Sequence, residues 1–241
     1  MAKKNERENQ RRAVAEQLRK QQQRKERRRS MLILGACIVI VVGLLAAALV
    51  PYIKDQRAKK KAEGTPVAQL GASESAAGCS PPKSVDANGS GQHINPPKKI
   101  KYDAAPPAFG PHWPNYLQGS ELRSFYTEND RPEIERLVHS LEHGHTILWY
   151  DETVKPGTQA YKDVQAIAAK FDPETDKFMA APWNTTDGGS FPSGKHIAFT
   201  HWNGPTNQKG VTQYCKAPSG AVLSAFMKSN PASSAPEPAA P

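Results

Sequence analysis

The sequence is poor in cysteine, and the three cysteines that it has, Cys37, Cys79 and Cys215, lie far apart. No C-x-x-C pair is present, which excludes a thioredoxin-type redox site. Cys37 falls within an apolar run, where a free thiol behaves as a small hydrophobic side chain.

Sequence motifs of two large enzyme classes are missing as well. The Gly-Ser stretches at residues 89–91 and 188–190 match neither the G-x-S-x-G nucleophile elbow nor a phosphate-binding loop. Both stretches are typical of flexible loops, so the sequence indicates neither a serine hydrolase nor a nucleotide-binding protein.

Charge is missing from residues 31–53. A helix of this length measures about 34 Å, which is enough to cross a bilayer. Residues 1–30 carry 12 Lys and Arg, whereas residues 54–61 carry five. The positive-inside rule therefore predicts a single-pass protein of the cell membrane, with an uncleaved span, a cytoplasmic N-terminus and everything after residue 54 extracytoplasmic.

The net charge of +9 is unevenly distributed along the chain. Residues 1–61 have 17 basic and 5 acidic side chains, a net charge of +12, and the remainder has a net charge of −3. The predicted outer part is therefore mildly acidic, and no nucleic-acid partner is expected. The basic arm at residues 1–30 is instead expected to lie against anionic lipid headgroups.

Cys79 and Cys215 are the only thiols in the predicted outer compartment, where disulfides persist. The sequence therefore predicts that they form one bridge. The loop that it closes exceeds 100 residues, for which the chain-entropy model gives a stabilisation of about 5 kcal/mol.

Composition divides the rest of the chain into three parts. Residues 54–75 are charged and then small and polar, as in a linker, and residues 230–241 have the Ala/Pro-rich composition of a disordered tail. Residues 76–229 are long enough for one domain. Their first third is rich in proline and is expected to form extended loops that wrap a core.

The remaining patterns predict an α+β domain with a short mixed sheet packed by helices. Residues 145–150 form a strand that is apolar on both faces, and residues 177–181 and 196–202 are further strand candidates. One predicted helix lies, with the turn that ends it, within residues 131–145, and the others cover residues 158–170 and 218–227. This order of elements is also that of a thioredoxin-like fold.

The first of these helices carries the most informative pattern in the chain. Pro132 suits the first position of a helix and Gly144 suits the residue that closes one. Ile134, Leu137, Val138 and Leu141 form one apolar stripe, and His139 and His143 lie away from it. These two imidazoles therefore face either water or a site.

Two arrangements of this helix remain open. A helix between the core and water leaves both imidazoles exposed, with pKa values near 6.5. A helix covered on its second side by the proline-rich segment brings His112 against them. The second arrangement is favoured because Phe109 and Trp113 flank His112 and need a surface against which to pack.

All seven histidines follow the predicted span, as expected of a metal-binding domain. Imidazole is the commonest metal ligand, and a pair spaced i, i+4 on a helix can chelate one ion. Copper or zinc is the predicted metal. The candidate ligands are His112, His139 and His143, with His145 as the fourth and His93 or His201 as its alternatives. The competing interpretation is that His145 simply bonds to the backbone.

Residues 139–143 also match H-x-x-E-H, the inverted zincin motif, in which the glutamate activates water. Glu142 is then the candidate general base of a zinc-dependent hydrolase. Three features disfavour this reading: Gly144 ends the helix at once, the pattern is short, and no third ligand follows on a second helix. Glu142 as a surface carboxylate near Arg136 is the other alternative.

Two segments together resemble a known family. Pro106-Pro-Ala-Phe-Gly-Pro-His-Trp-Pro114 is followed by Val138-His-Ser-Leu-Glu-His-Gly144 and a strand. The chain is similar over about residues 76–228 to the bacterial family catalogued as domain of unknown function 3105. The resemblance implies a membrane-anchored domain of actinobacterial type with no established activity. The family pattern falls here on His112, His139, Glu142, His143 and Gly144.

The sequence thus favours a membrane protein whose extracytoplasmic domain acts in binding or envelope assembly, holding a metal and contacting an unidentified envelope protein. Enzymatic activity is not expected. The zinc-dependent hydrolase and a purely structural envelope protein without ligand remain the alternatives.

Overall fold

The structure is a computed structural model that describes residues 64–240 without a gap. Before them it describes only residues 19–20, 23–25, 27–28, 31, 34–35, 39–40, 42–45, 47 and 49, all helical. The predicted arm and span therefore lie largely outside the described residues. Within the described part of the chain, no helix has both the length and the apolar character that crossing a membrane requires.

Contacts divide the chain into residues 1–58 and residues 59–241. A five-stranded mixed sheet forms the centre of the second unit, in the order β1-β5-β4-β2-β3. Only β2 and β3 are parallel, and the other neighbours are antiparallel. The strands are β1 (Lys83–Asp86), β2 (Thr146–Asp151), β3 (Phe178–Trp183), β4 (Ile197–Asn203) and β5 (Lys209–Cys215). The predicted α+β class with a mixed sheet is confirmed.

Helices lie on both sides of this sheet. They are α1 (Glu74–Ala77), α2 (Ile134–Glu142), α3 (Gln159–Ala168), α4 (Thr185–Gly188) and α5 (Gly220–Ser229). Three short 3-10 turns accompany them, at Val67–Gln69, Gly119–Glu121 and Ala232–Ser234. Helix α2 begins at Ile134 rather than at the predicted Pro132, with Glu133 as its N-cap residue.

Alternating side chains of the sheet bury two separate cores. Leu148 and Tyr150 of β2 pack with α3 and α5 on one face. Ile147 and Trp149 pack on the other face with α2 and with residues of the proline-rich segment. Strand β2 is therefore buried on both sides, as its sequence predicted, and α2 belongs to the second core.

The sequence missed β1 and β5. Strand β1 is exposed at all four residues, and β5 alternates only weakly between buried and half-buried side chains. Neither strand has the apolar run by which a buried strand is recognised. Strand β1 is the edge strand, so one side of it has no neighbour and its side chains stay in water.

The ordered domain also extends beyond its predicted limits. Residues 64–75, predicted to be a linker, pack against α5: Leu70 is buried, and the Gly220 N–H donates to its carbonyl over 2.9 Å. A Cβ on Gly220 would collide with the Val67 carbonyl. Because Gly220 has no side chain, residues 64–75 approach α5 more closely than their linker-like composition predicted.

Cys79 and Cys215 form the predicted disulfide, 136 residues apart in sequence. The bridge joins the segment before β1 to the last residue of β5. Cys215 is completely buried in the first core. The covalent link therefore fixes the segment before β1 against the end of β5.

The C-terminal segment, residues 230–240, packs on the domain instead of forming the predicted disordered tail. Ala235 is completely buried, and the Gly204 N–H donates to the Ser234 carbonyl over 2.6 Å. The Glu237 N–H donates over 3.0 Å to the carbonyl of Glu142, the last residue of α2. Docking thus satisfies one of the carbonyls that every helix end leaves unpaired.

Gly144 is the position at which this docking constrains the sequence. Its φ is +91°, and a Cβ there would lie 2.7 Å from the Ala232 carbonyl oxygen. Gly157 has nearly the same φ, +94°, with open space around it. The two glycines therefore share the same backbone strain and differ in their contact with the C-terminal segment.

We expect Gly144→Ala to destabilise the domain more than Gly157→Ala does. Both variants force an L residue into positive φ, but only the first displaces the C-terminal segment, for which overpacking costs roughly 1–3 kcal/mol. Urea unfolding of the disulfide-bonded protein measures the difference. Equal free energies of unfolding for the two variants would contradict the docking.

Candidate metal site

Helix α2 is buried on its polar side as well as on its apolar side. Leu137, Val138 and Leu141 face the sheet, as the apolar stripe predicted. His139 and His143 are each only 4% exposed, however, and Glu142 is 6% exposed. The structure therefore has the covered arrangement, in which the proline-rich segment lies over the helix.

Polar contacts hold that segment on α2. The buried carboxylate of Glu135 accepts the Ile100 N–H over 3.0 Å and pairs with the Lys99 ammonium at 3.5 Å. The Trp113 indole N–H donates to the Lys98 carbonyl over 2.9 Å. The Glu135 contacts hold Lys99 and Ile100 on α2, and the Trp113 contact joins Lys98 to the later part of the same segment.

A short backbone bridge places His93 beside His112. The Ile94 N–H donates to the His112 carbonyl over 2.8 Å, and the His112 N–H donates to the Gln92 carbonyl over 3.0 Å. The His93 and His112 ring centroids are 4.9 Å apart. His112 is also 4.6 Å from the ring of His139, so three imidazoles from three segments meet at one place.

The backbone orients two of these rings. His112 Nδ1 lies 2.9 Å from the Gly110 carbonyl oxygen, and His139 Nδ1 lies 2.7 Å from the Trp113 carbonyl oxygen. A carbonyl oxygen only accepts hydrogen bonds, so each Nδ1 carries the proton. In a neutral ring, Nε2 then presents its lone pair. Metal-binding histidines are held in this way.

Both Nε2 atoms face other potential ligands. His112 Nε2 is 2.9 Å from Glu142 Oε2, close enough for an ion pair. The two groups do not align as a hydrogen bond, so this fully buried nitrogen is without a hydrogen-bond partner. A buried lone pair facing a carboxylate needs a proton or a cation between them.

One ligand atom from each of four residues lies within 4.8 Å of the others. These residues are His93, His112, His139 and Glu142. Three imidazoles and a carboxylate form a donor set that zinc accepts at about 2.0–2.2 Å per bond. His93 is exposed whereas the other three are buried, so the group opens to solvent at the His93 side.

The protonation states of the buried members suit a cation. Burial, with smaller effects of the His112 and His143 charges, lowers the pKa of His139 to about 4. Burial acts to raise the pKa of Glu142, but the contact with His112 and the charges of the surrounding histidines outweigh it and leave that pKa below its ordinary value. At neutral pH the site thus holds an unprotonated imidazole and a carboxylate.

Gly91 leaves room for the Glu142 carboxylate. A Cβ at this position would lie 2.6 Å from Glu142 Oε1 and 3.4 Å from the Trp202 ring. Because a side chain at residue 91 would displace the carboxylate, the loop before His93 is matched to the site.

His143 lies at the edge of this group, at the C-cap of α2. Its Nε2 is 3.0 Å from His139 Nε2 and 3.8 Å from Glu237 Oε2. Glu142, His143 and Glu237 form a second group of potential ligands within 4.8 Å. Sequence reasoning missed Glu237, although it is the only charged residue after Lys228.

His145, predicted as the fourth ligand, lies elsewhere. Its Nδ1 and Nε2 are each 3.0 Å from a carbonyl oxygen, of Ser140 and Pro173 respectively. Both nitrogens thus face backbone carbonyls, as in the alternative interpretation of His145, and the single N–H of the neutral ring donates to one of them. His201 is also apart, because it lies on the opposite face of β4 from Trp202 and contacts Thr146 Oγ1 at 3.1 Å. His93, the other alternative, lies in the group with His112, His139 and Glu142.

Comparison with known proteins gives two family matches. Residues 93–241 match the family described as protein of unknown function DUF3105. Residues 9–63 match a shorter model, described as an inhibitor of host cell division protein domain. No curated protein matches the chain. No solved structure matches it either.

We expect the His145 and His201 rings to stay neutral well below the ordinary pKa. Burial is the main cause that lowers the pKa of His145 to about 3 and that of His201 to about 4. NMR titration of the imidazole resonances measures both midpoints. A midpoint near 6.5 for either ring would contradict its burial.

The same shifts give a stability prediction. Below pH 6.5 the unfolded chain takes up protons that the folded rings refuse, so stability falls as the pH decreases toward 4. Each such group contributes up to about 1.4 kcal/mol per pH unit. When the pH falls from 6.5 to 4.5, His201→Gln should therefore lose less free energy of unfolding than the native chain does.

Proposed function

The chain belongs to the DUF3105 family, and we propose from the site itself that its folded domain binds a divalent transition-metal ion. The proposed ligands are His93, His112, His139 and Glu142. One observation carries the proposal: two buried histidines donate Nδ1–H to backbone carbonyls and leave Nε2 within the group. The buried His112 Nε2 has no hydrogen-bond partner, so its lone pair is costly to bury without a cation, whereas His139 Nε2 lies 3.0 Å from His143 Nε2.

Zinc and copper(II) fit this donor set best. Imidazole suits both ions, and a carboxylate adds the negative charge that offsets part of the charge of the ion. The four proposed ligands include no sulfur atom, so the soft copper(I) ion is less favoured.

The geometry supports binding rather than hydrolysis. A general base must reach a metal-bound water while remaining outside the ligand set. Glu142 contacts His112 Nε2 and belongs to the ligand group, which makes it a fourth ligand instead of a base. Four protein ligands close a tetrahedral site, whereas catalytic zinc keeps one position open.

The proposal places this domain outside the cell. Residues 31–53 span the membrane, residues 1–30 lie in the cytoplasm against anionic lipid, and the metal site acts in binding or assembly with an envelope protein. The Cys79–Cys215 disulfide supports this location because such bridges persist in oxidising compartments. The alternative without a ligand is a structural envelope protein with the same topology.

A thioredoxin-like arrangement of the core is part of the proposal. Strands β2 and β3 are parallel and are joined by α3, and the β4–β5 hairpin and α5 follow. This connectivity and the order β5-β4-β2-β3 support it. The proposed metal site belongs to α2 and to the segment that precedes it, outside that core.

Isothermal titration of the metal-free full chain with Zn²⁺ tests the binding proposal. His112→Ala and His139→Ala should each weaken binding by at least about 10-fold, because each removes one ligand of the ion. His196→Ala is the matched control, since His196 pairs with Asp151 outside the ligand group. Equal affinities for all three variants and the native chain would refute the site.

Cysteine labelling of intact cells tests the topology. Glu174 is exposed in the domain, so the new thiol of Glu174→Cys should react with a membrane-impermeant reagent. The thiol of Asn9→Cys should react only after lysis, because the basic arm is placed in the cytoplasm. The reverse pattern would overturn the orientation.

A further inference from the structure

The second ligand group, formed by Glu142, His143 and Glu237, shares one residue with the first. Its members come from the end of α2 and from the C-terminal segment. Together the two groups contain six potential ligands, whereas a zinc ion takes four. The two groups therefore contain more potential ligands than a single zinc ion uses.

The C-terminal segment holds Glu237 in place through its backbone. The Glu237 N–H donates to the Glu142 carbonyl over 3.0 Å, so the two carboxylate-bearing residues are directly joined. Ser234 bonds to Asn203, and the Lys177 ammonium donates to the Ala240 carbonyl over 3.4 Å. Glu237 thus lies between two anchored points, and its side chain, 58% exposed, borders solvent.

The contact between His139 and His143 also indicates a second cation. Their Nε2 atoms are 3.0 Å apart, and because His139 carries its proton on Nδ1, His143 donates Nε2–H to His139 Nε2 when no cation is bound. In a metal-bound site, each nitrogen could instead direct its lone pair at a cation of its own. The Glu142 carboxylate lies in both groups and has an oxygen for each cation.

We propose that Glu142 bridges two divalent cations. The first is the ion of the proposed function, on which this inference rests, and the second is held by Glu142, His143 and Glu237. Metal ions that share a carboxylate in proteins are typically about 3.5–4 Å apart. The second cation is the more accessible of the two because Glu237 borders solvent.

Metal stoichiometry of the full chain, equilibrated with Zn²⁺ and then dialysed, tests this pairing. The native chain should retain two ions, Glu237→Gln should retain one, and the matched control Glu174→Gln, an exposed glutamate elsewhere, should retain two. With Cu²⁺ in place of Zn²⁺, magnetic coupling should suppress the ordinary single-ion EPR signal. Glu237→Gln should restore that signal.

The outcomes separate the two proposals. One ion in both the native chain and Glu237→Gln overturns the second site and leaves the proposed function standing. Loss of the only ion in Glu237→Gln makes Glu237 a ligand of a single site and also overturns the pair. Two ions in Glu237→Gln place the second ion elsewhere. A native chain that binds no ion refutes both proposals.

Discussion

The burial of a polar helix face is the constraint on which the rest of this domain depends. Helix α2 has the sheet on one side and the proline-rich segment on the other, so Glu135, His139 and Glu142 all leave water. Buried polar groups must find partners. The backbone N–H of Ile100 and the Trp113 carbonyl provide them for Glu135 and His139, and His112 lies against Glu142. The irregular segment is thus shaped by the hydrogen bonds that the helix requires.

The same constraint explains why a polar cluster can exist within the second core. Trp202 of that core is completely buried, and its ring lies 6.0 Å from that of His112, so apolar surface borders the polar cluster. Low polarity strengthens electrostatic interactions between charges and lone pairs. A carboxylate and several imidazoles in such surroundings attract a cation more strongly than the same groups would in water.

Helices α2, α3 and α5 and strands β2, β3 and β4 could be predicted because their signals are local. The apolar stripe of α2 and the doubly apolar β2 each follow from residue spacing, and Phe109 and Trp113 correctly indicated that His112 meets α2. The exposed strand β1 and the docked segment at residues 230–240 could not be predicted, since their order depends on backbone hydrogen bonds to partners far away in sequence. Amino-acid composition describes side chains and gives no information about such backbone hydrogen bonds.

Within the site, too, residues with local sequence signals could be predicted, and residues positioned by distant backbone contacts could not. His112, His139 and Glu142 lie in recognisable motifs, whereas His93 is positioned by a two-residue backbone bridge, and Glu237 by a contact with a helix carbonyl. His145 was misplaced as a ligand because sequence proximity to His143 does not imply proximity of the rings' free nitrogens. The peptide turns sharply at Gly144, where φ is +91°.

The disulfide divides the potential ligands topologically. His93, His112, His139, Glu142 and His143 all fall inside the covalent loop from Cys79 to Cys215, and Glu237 falls outside it. If the domain opened partially, the residues inside the loop would therefore stay covalently tethered to one another, whereas Glu237 could move away from them. Chain connectivity holds five of the six potential ligands together, and Glu237 stays beside them only as long as a few hydrogen bonds persist.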